Sequence, residues 1–411
     1  MVARTLRRSV LSLLCLLFAA PGGAAPGTVI WLSLDGVRHD YLERDPLPAL
    51  TRVATQGVRA EALVPVFPSS TFPSHVSQAT CARVDRHGMV ANRFHDRERG
   101  DFSYGSDASW IDAEPLWIAA ERQGVRAATF FWVGSETDWQ GRGATHRRAP
   151  FDSEIGEAEK VDQILAWLDL PDAERPRLIM SWWHGADTAG HRNGPGHEET
   201  RAALRTQDAE LGRLLAGLDE RDVWGDTTLL LTSDHGMTSV TELFDPAAFL
   251  AQQGITARML GGGGFAHLYL EDPAQAAAAA AALDAEPKLR AWRGNALPPE
   301  LRYSHPSRMG DVVAIAEPPR GLTARWSVDG VYGRIAHTLG NEVGSHGYVP
   351  DVADMGAILL GMGRAIPKSA ALGRVDSLDV APTVAAWLGI EPPEHCEGTA
   401  IPGLVNTVAA E

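Results

Sequence analysis

The amino-acid sequence predicts an α/β protein in which helices sandwich a mostly parallel sheet. Short apolar runs, rich in β-branched and aromatic residues, recur along the chain and are separated by segments of helical length. These runs are apolar almost throughout, which is typical of strands that are buried on both faces. Aspartates and histidines follow several of the runs, where ligands collect in open parallel sheets.

The elements that support this fold class alternate in chain order, as expected for strands joined by crossover helices. The sequence predicts strands at Thr28–Leu34, Ala127–Val133, Leu178–Trp183 and Thr227–Thr232. It predicts helices at Leu116–Gln123, at Arg201–Leu218 and, as the closing element, within Asp376–Gly389.

The segment at about 243–345 differs in composition from the rest of the chain and predicts an inserted cap subdomain. Its alanine run, Ala276–Ala282, predicts a helix. The glycines Gly261–Gly264 are interpreted as a flexible turn, because no Lys-Ser/Thr pair follows them as in a phosphate-binding loop. The chain is expected to return to the main fold at His346. Residues 26–411 are therefore predicted to form one domain with this insertion.

The first 25 residues have the features of a signal peptide. A basic start with Arg4, Arg7 and Arg8 precedes an apolar run, and Ala24 and Ala25 offer a cleavage point. The run is short for a bilayer span, although an uncleaved N-terminal anchor is the alternative. The sequence thus predicts an exported, periplasmic or extracellular protein without a stable membrane anchor.

Charge and cysteine content limit the partners and the compartment. The formal net charge is −15, which disfavours long nucleic acid as a partner. It permits a small phosphate ester if bound cations reverse the field locally. Cys81 and Cys396 remain after signal cleavage, and the sequence leaves open whether they pair or stay as free thiols. The sequence sets no oligomeric state.

Three aspartates and three histidines form a candidate metal centre. Each residue alone is a weak signal, since an aspartate after a strand is commonly a helix cap. As a set, six oxygen and nitrogen ligands suit two zinc ions, and the cations would relieve repulsion between neighbouring carboxylates. The six candidate ligands are Asp35, Asp187, His191, Asp234, His235 and His346.

The segment FPSSTFPSH at 67–75 supplies candidate nucleophiles. Two metal ions about 4 Å apart can support in-line displacement at phosphorus by a hydroxyl group. From this chemistry alone, Ser69, Ser70, Thr71 and Ser74 all remain candidates for that hydroxyl.

Six motifs in matching order resemble the nucleotide pyrophosphatase/phosphodiesterase family of the alkaline phosphatase superfamily. They are DGVRHDYL at 35–42, FPSSTFPSH at 67–75, HGMVANRF at 87–94, HGADTAGHRNGP at 184–195, TSDHGM at 232–237 and GSHGY at 344–348. The resemblance covers nearly the whole mature chain and implies an alkaline phosphatase-like sheet.

The resemblance also implies a role for each matched residue. Thr71 falls on the nucleophile, which in the family is also a zinc ligand. The remaining ligands of the first zinc are implied to be Asp35, Asp234 and His235. Those of the second are implied to be Asp187, His191 and His346.

Three further residues match positions that contact substrate in the family. Asn92 falls on an asparagine that holds a phosphate oxygen, together with the backbone N–H of Phe72. Phe72 resembles one aromatic wall for a nucleobase, and Phe151 resembles the other, with a core aromatic as the alternative for Phe151. Ser74 departs from the family, which more often has asparagine there.

The implied activity is hydrolysis of phosphodiester or pyrophosphate bonds in small substrates, most readily nucleotide derivatives. The leaving group departs beside the second zinc, and water hydrolyses the covalent threonyl phosphoester. The alternatives are lysophospholipid or glycerophosphodiester headgroups, phosphomonoesters and phosphonates. A non-catalytic phosphate-binding relative is a further alternative.

Overall fold

The computed structural model describes residues 27–324 and 342–405. The predicted signal peptide, residues 1–25, lies outside the described residues. The strands, in chain order, are β1 Thr28–Leu34, β2 Val58–Val64, β3 Arg93–Asp96, β4 Gly100–Ser103, β5 Ala127–Phe130, β6 His146–Arg148, β7 Leu178–Trp183, β8 Thr227–Thr232, β9 Thr238–Val240, β10 Glu242–Phe244, β11 Ala257–Gly262, β12 Phe265–Leu270, β13 Leu289–Arg293, β14 Val312–Ala316, β15 Arg320–Leu322, β16 Val343–Ser345, β17 Leu359–Gly363 and β18 Ala370–Asp376.

The α-helices of the described residues, in chain order, are α1 Tyr41–Arg44, α2 Pro48–Gln56, α3 Thr71–Thr80, α4 Val84–His87, α5 Leu116–Arg122, α6 Glu157–Leu168, α7 Gly185–Asn193, α8 Glu198–Glu220, α9 Pro246–Gln252, α10 Ala276–Asp284 and α11 Val380–Leu388. Short 3₁₀ turns connect several of them.

An eight-stranded sheet in the order β18-β2-β17-β8-β1-β7-β5-β6 forms the centre of the fold. β17 is antiparallel to both of its neighbours, β2 and β8, and the other neighbouring pairs are parallel. The predicted α/β class with a mostly parallel sheet is therefore confirmed.

Helices cover both faces of this sheet because its strands are apolar on both sides. In β1, Ile30 and Leu32 belong to one buried cluster, which also contains side chains of α2, α6 and α8. Val29 and Trp31 point the other way into a second cluster, with side chains of α5 and α11. Each fully buried aliphatic side chain of this size contributes roughly 1.5–3 kcal/mol, so the two clusters hold the sandwich together.

The predicted elements match the structure closely, with local differences at their ends. The strand predicted to reach Val133 ends at Phe130, because Phe131 takes a left-handed backbone conformation with φ 59°. The helix predicted over Arg201–Leu218 extends over Glu198–Glu220. The closing helix begins at Val380, after a 3₁₀ turn over Ser377–Asp379.

A second, antiparallel sheet in the order β11-β12-β14-β13 lies within the segment predicted as an insertion. The alanine-rich helix α10 buries Ala279 and Leu283 in the cluster that includes Leu268 and Val312 of this sheet. The insertion prediction also covers residues 325–341, which lie outside the described residues.

The glycine run forms the turn between β11 and β12, and this turn packs tightly on the main fold. The Gly264 N–H donates to the His346 carbonyl over 2.8 Å. A Cβ at Gly264 would overlap the Tyr348 backbone nitrogen, and a Cβ at Gly263 would overlap the Ser345 side chain. The glycines thus allow a close backbone approach, a role that the interpretation as a flexible turn did not include.

No helix between residues 27 and 324, or between 342 and 405, has the length and apolar character needed to cross a membrane. A disulfide joins Cys81, at the C-terminal end of α3, to Cys396 beyond α11. The structure therefore selects the paired alternative for these two cysteines.

Replacing both cysteines with serine (Cys81→Ser with Cys396→Ser) should lower the free energy of unfolding by about 2–5 kcal/mol, because the disulfide closes a long loop of the unfolded chain. Urea unfolding followed by fluorescence measures this change. Dithiothreitol should destabilise the wild-type protein by a similar amount and leave the double variant unaffected. Equal stability of the oxidised wild type and the double variant would contradict the assignment.

Candidate functional site

The candidate ligands converge at the carboxyl edge of the central sheet. Asp35 directly follows β1, Asp234 and His235 follow β8, and Asp187 lies in the first turn of α7, just after β7. Because β7, β1 and β8 are adjacent and parallel, their carboxyl ends open onto one crevice. The remaining two ligands, His191 in α7 and His346 after β16, are brought there from farther along the chain.

Asp35, Thr71, Asp234 and His235 form one group of candidate ligands. His235 Nε2 lies 3.1 Å from Asp234 Oδ2, 3.6 Å from Asp35 Oδ1 and 3.5 Å from Thr71 Oγ1. Potential ligand atoms of Asp35, Asp187 and His235 also lie within 4.8 Å of one another. Asp187 therefore stands between this group and the next.

Asp187, His191 and His346 form the second group. His346 Nε2 lies 3.1 Å from His191 Nε2 and 3.9 Å from Asp187 Oδ1, and His191 Nε2 lies 3.5 Å from the same oxygen. The imidazoles of His235 and His346 stack with their centroids 3.7 Å apart, so the two groups adjoin.

Backbone carbonyls orient all three candidate histidine ligands in the same way. Nδ1 of His235 is 2.9 Å from the Gly236 carbonyl, Nδ1 of His191 is 3.1 Å from the Gly344 carbonyl, and Nδ1 of His346 is 2.9 Å from the Ser69 carbonyl. A carbonyl only accepts, so each Nδ1 carries a hydrogen, and Nε2 is the ring nitrogen that is left to bind a metal ion in the crevice. Metal-ligating histidines are commonly fixed by such bonds.

The buried carboxylates of these groups fit metal ions. One oxygen each of Asp35, Asp187 and Asp234 is buried and makes no hydrogen bond to any residue that the structure describes. Such an arrangement costs free energy unless another group binds the oxygen. Carboxylate oxygens with imidazole nitrogens form a donor set that suits zinc. The residues present therefore fit two adjacent metal ions.

The electrostatics of the groups lead to the same conclusion. Burial, reinforced by the neighbouring Asp234 and Asp187, raises the pKa of Asp35 well above its usual value. Burial opposes ionisation of Asp234 as well, but the His235 and His75 imidazoles outweigh it and lower the Asp234 pKa. Burial, together with His235 and His191, holds the pKa of His346 well below its usual value. A neutral His346 is the form that binds metal.

Thr71 has the hydroxyl group that reaches the candidate ligands. It is the first residue of α3 and is buried beside His235. Of the other candidates, Ser69 Oγ donates to the Tyr348 carbonyl over 2.8 Å. Ser74 Oγ is buried and has no hydrogen-bond partner in residues 27–324 and 342–405. Ser70 lies at the N-cap of α3 and lines the adjacent cleft.

His75, one helical turn after Thr71, holds the backbone of this candidate nucleophile and was not singled out by sequence reasoning. Its Nδ1 donates to the Thr71 carbonyl over 2.8 Å, and its Nε2 lies 2.8 Å from Ser33 Oγ. Its spacing of four residues from Thr71, about one helical turn, was the sequence signal that could have identified it.

Asn92 lies beside the start of α3, where the candidate nucleophile Thr71 is the first residue. Its Oδ1 accepts the Phe72 N–H over 2.8 Å, so its NH₂ is the end that can donate to a ligand. The Phe72 N–H, expected to face a phosphate oxygen, bonds Asn92 instead. The Phe72 ring is buried and packs edge-on against Phe102 and Tyr104.

A cleft of about 650 Å³ borders the second group of ligands and Asn92. Its lining includes Tyr104, which is 52% exposed, and the guanidinium groups of Arg93 and Arg192. The Arg93 guanidinium carbon lies 5.0 Å from the centre of the Tyr104 ring. Sequence reasoning missed these three residues. Arg93 begins β3, Arg192 lies in α7 and Tyr104 follows β4, and the sequence pattern does not show that their side chains face one cleft.

Phe151 is not part of this cleft lining and lies near the first group of candidate ligands, against Trp182. It is 38% exposed, which disfavours the alternative of a core aromatic. Its ring centre lies 5.0 Å from that of Trp182, and the Trp182 Nε1–H donates to Asp35 Oδ2 over 2.9 Å. Phe151 is therefore linked to the candidate metal centre through one side chain.

The eight-stranded sheet with these groups at its carboxyl edge defines a class, the α/β proteins with an alkaline phosphatase-like fold. The chain belongs to the type I phosphodiesterase / nucleotide pyrophosphatase family, whose sequence profile it matches over residues 29–349.

Individual relatives agree with this assignment. The chain is 37% identical to an uncharacterized pyrophosphatase/phosphodiesterase of Schizosaccharomyces pombe over 222 residues, which cover 52% of this chain and 46% of that protein. It is 27% identical to the bis(5′-adenosyl)-triphosphatase of Xenopus laevis, over 90% of this chain and 79% of the relative. The chain thus spans about half the length of several curated relatives that it matches. It spans 79% of the length of the frog protein.

Solved structures share the fold. Murine ectonucleotide pyrophosphatase / phosphodiesterase 5 superposes with a TM-score of 0.80 at 24% identity, covering 89% of this chain and 96% of that chain. The human protein of the same name gives a TM-score of 0.79 at 26% identity, covering 92% and 96%.

Asp35→Asn should stabilise the metal-free protein, and the gain should grow as the pH rises. The raised pKa of Asp35 means that the folded state keeps this proton to a higher pH than the unfolded chain, whose aspartates titrate near about 3.9. Ionising Asp35 therefore costs folding free energy above that pH, and the cost is complete above the folded-state pKa. Urea unfolding in chelator, between pH 5 and 9, measures the difference.

Asp96→Asn is the matched control. Burial opposes ionisation of Asp96, but hydrogen bonds from the Glu98 backbone N–H over 2.8 Å and from the Arg308 Nε–H over 3.1 Å lower the pKa of this carboxyl to about 2. We expect this substitution to destabilise the protein by about 1–3 kcal/mol at neutral pH, because a charged hydrogen-bonded group is lost. A loss of stability in Asp35→Asn like that in Asp96→Asn would contradict the electrostatic account of the site.

Proposed function

We propose that this protein is an exported two-zinc phosphodiesterase and nucleotide pyrophosphatase that acts through Thr71. It hydrolyses phosphodiester or pyrophosphate bonds of small nucleotide derivatives and releases nucleoside 5′-monophosphates. The observation that carries the proposal is the Thr71 hydroxyl, which lies 3.5 Å from His235 Nε2 beside two adjoining groups of metal-ligand side chains.

Zinc ions held by the two groups would lower the pKa of the Thr71 hydroxyl and offset the negative charge that gathers on the phosphate. Thr71 Oγ1 attacks phosphorus, the bond to the leaving oxygen breaks, and a covalent threonyl phosphoester forms. The Asn92 NH₂ donates to a non-bridging oxygen and stabilises its charge in the transition state. Water then attacks phosphorus and releases the nucleotide and the Thr71 hydroxyl.

The charges of the cleft support an anionic substrate. The protein has a net charge of −15, yet the cleft lining carries the cations Arg93 and Arg192. Among the described residues of this lining, the one carboxylate, Asp187, is a candidate metal ligand. Such a lining attracts a second phosphate and repels a choline cation. It therefore favours nucleotide substrates over the alternative of a choline-containing headgroup.

Relatives act on or bind ligands of the same class. The frog relative is named a bis(5′-adenosyl)-triphosphatase, and a rattlesnake relative is a venom phosphodiesterase. An inactive threonine-to-alanine variant of the murine protein has been solved in complex with AMP. These names support a nucleotide substrate and a threonine nucleophile as proposals for this chain.

Export to the periplasm or the extracellular space is part of the proposal. It rests on the signal peptide that the sequence predicts, and the disulfide between Cys81 and Cys396 is compatible with an oxidising compartment.

Thr71→Ala should reduce kcat at least about 1,000-fold on bis-p-nitrophenyl phosphate and on p-nitrophenyl thymidine 5′-monophosphate, because the attacking oxygen is lost. Thr71→Ser should keep part of the activity. Ser70→Ala is the matched control, with the neighbouring hydroxyl removed, and should retain it. Release of p-nitrophenol measures all three variants.

The wild-type protein should cleave both diesters faster than p-nitrophenyl phosphate. A chelator should abolish this cleavage and zinc should restore it. Faster cleavage of the monoester would overturn the diester assignment, and full activity of Thr71→Ala would overturn the nucleophile.

Arg93→Ala and Arg192→Ala should each raise KM for bis(5′-adenosyl) triphosphate about tenfold, because charge-assisted contacts contribute about 1.5–3 kcal/mol each. KM for p-nitrophenyl thymidine 5′-monophosphate, which lacks a second phosphate, should change little. Arg213→Ala, on the surface of α8, is the control. Equal increases for both substrates would contradict a contact with the leaving phosphate.

A further inference from the structure

We infer that Trp182 is a positioning residue that serves the metal centre and the nucleobase site together. Its indole N–H selects the oxygen of Asp35 that faces the first group of ligands, and its ring supports Phe151. The inference rests on the proposed function, since it assigns partners to the same site.

The register of the sheet places Trp182 beside Asp35. β1 and β7 are parallel neighbours, with Ser33 opposite Trp182 and Leu34 opposite Trp183. The Asp35 N–H continues this ladder by donating to the Trp183 carbonyl over 2.8 Å. Successive side chains of a strand point to opposite faces, so Trp182 and Trp183 diverge.

The indole N–H fixes the orientation of the Asp35 carboxylate. Nε1 of Trp182 donates to Asp35 Oδ2 over 2.9 Å. Asp35 Oδ1 is then the oxygen that lies 3.6 Å from His235 Nε2, and it makes no hydrogen bond within the described parts of the chain. A metal ligand held in this way is orientated before the ion arrives, which favours binding.

The same ring supports the exposed aromatic residue beside the site. Phe151 lies at 31° to the Trp182 ring plane, with the ring centres 5.0 Å apart. The Trp182 ring also contacts His75, with the ring centres 5.7 Å apart. His75 Nδ1 in turn donates to the Thr71 carbonyl. Trp182 thus contacts Phe151 at the proposed nucleobase site, Asp35 at the candidate metal centre and His75 behind Thr71.

Two substitutions separate the two roles, and a third is the control. Trp182→Phe keeps a ring and removes the N–H, whereas Trp182→Leu removes both. Trp183→Phe removes an indole N–H that is buried without a hydrogen-bond partner in the structure. It therefore makes the same chemical change one residue away without breaking a bond to Asp35.

Zinc affinity, measured by competition with a chromophoric chelator, tests the first role without turnover. We expect Trp182→Phe and Trp182→Leu to weaken one of the zinc sites about 10- to 100-fold, the range for residues that orient metal ligands. Trp183→Phe should bind zinc as the wild type does. Wild-type zinc affinity in a folded Trp182→Phe protein, with Tm checked in chelator, would overturn this role.

The second role, support of the nucleobase site, is tested by calorimetry on zinc-saturated protein. The preference for AMP is the ratio of the Kd for inorganic phosphate to the Kd for AMP. Stacking of the base on an aromatic side chain is lost in Phe151→Ala and weakened in Trp182→Leu, so this ratio should fall about tenfold. Trp182→Phe and Trp183→Phe should keep it. An unchanged preference in Trp182→Leu would overturn the second role.

These readouts separate the failure of this inference from failure of the proposed function. If the protein hydrolysed neither diester, the proposed activity would be wrong, while zinc and AMP affinities would still report on Trp182. If hydrolysis occurred but Trp182→Phe bound zinc normally, only the role of Trp182 would be wrong.

Discussion

Repulsion between three carboxylates is the constraint on which the rest of the site depends. Asp35, Asp187 and Asp234 meet at the end of the central sheet, and one oxygen of each is buried without a hydrogen bond from the described residues. Asp35 and Asp234 are almost completely buried, so cations or protons must offset their charge. The surrounding protein holds this costly arrangement in place through two buried apolar clusters on either face of the sheet.

The scaffold fixes its candidate ligands through backbone atoms more than through other side chains. Carbonyl groups set the tautomers of His191, His235 and His346, and strand register sets the separation of Asp35 from Asp234 and Asp187. Side-chain contacts add the finer adjustments, such as the hydrogen bond from Trp182 to Asp35. A site built this way tolerates surface variation, because the positions of its ligands follow from the fold.

Much of the fold could be predicted from the sequence, because β1, β7 and β8 are buried on both faces and their bounds follow from continuous apolar runs. β17 and its antiparallel pairing were not predicted, since the partner of a strand depends on residues far away in the chain. The candidate ligands could be named from motifs. Tyr104 could not, because only the fold brings it into the cleft beside Asn92, and nothing in the sequence showed that the Arg93 side chain lines the same cleft. The sequence predicted Trp182 only as part of a strand, because its hydrogen bond to Asp35 depends on the register of the sheet.

The position of His346, after the segment predicted as an insertion, has a consequence for biosynthesis. The second group of candidate ligands lacks one member until ribosomes have made residue 346, and the glycine turn between β11 and β12 packs on the same backbone. An incomplete chain therefore has no complete set of candidate ligands. Any ion that binds the complete set stabilises only the fully folded chain, by mass action, so metal supply would act as a late selection for intact molecules.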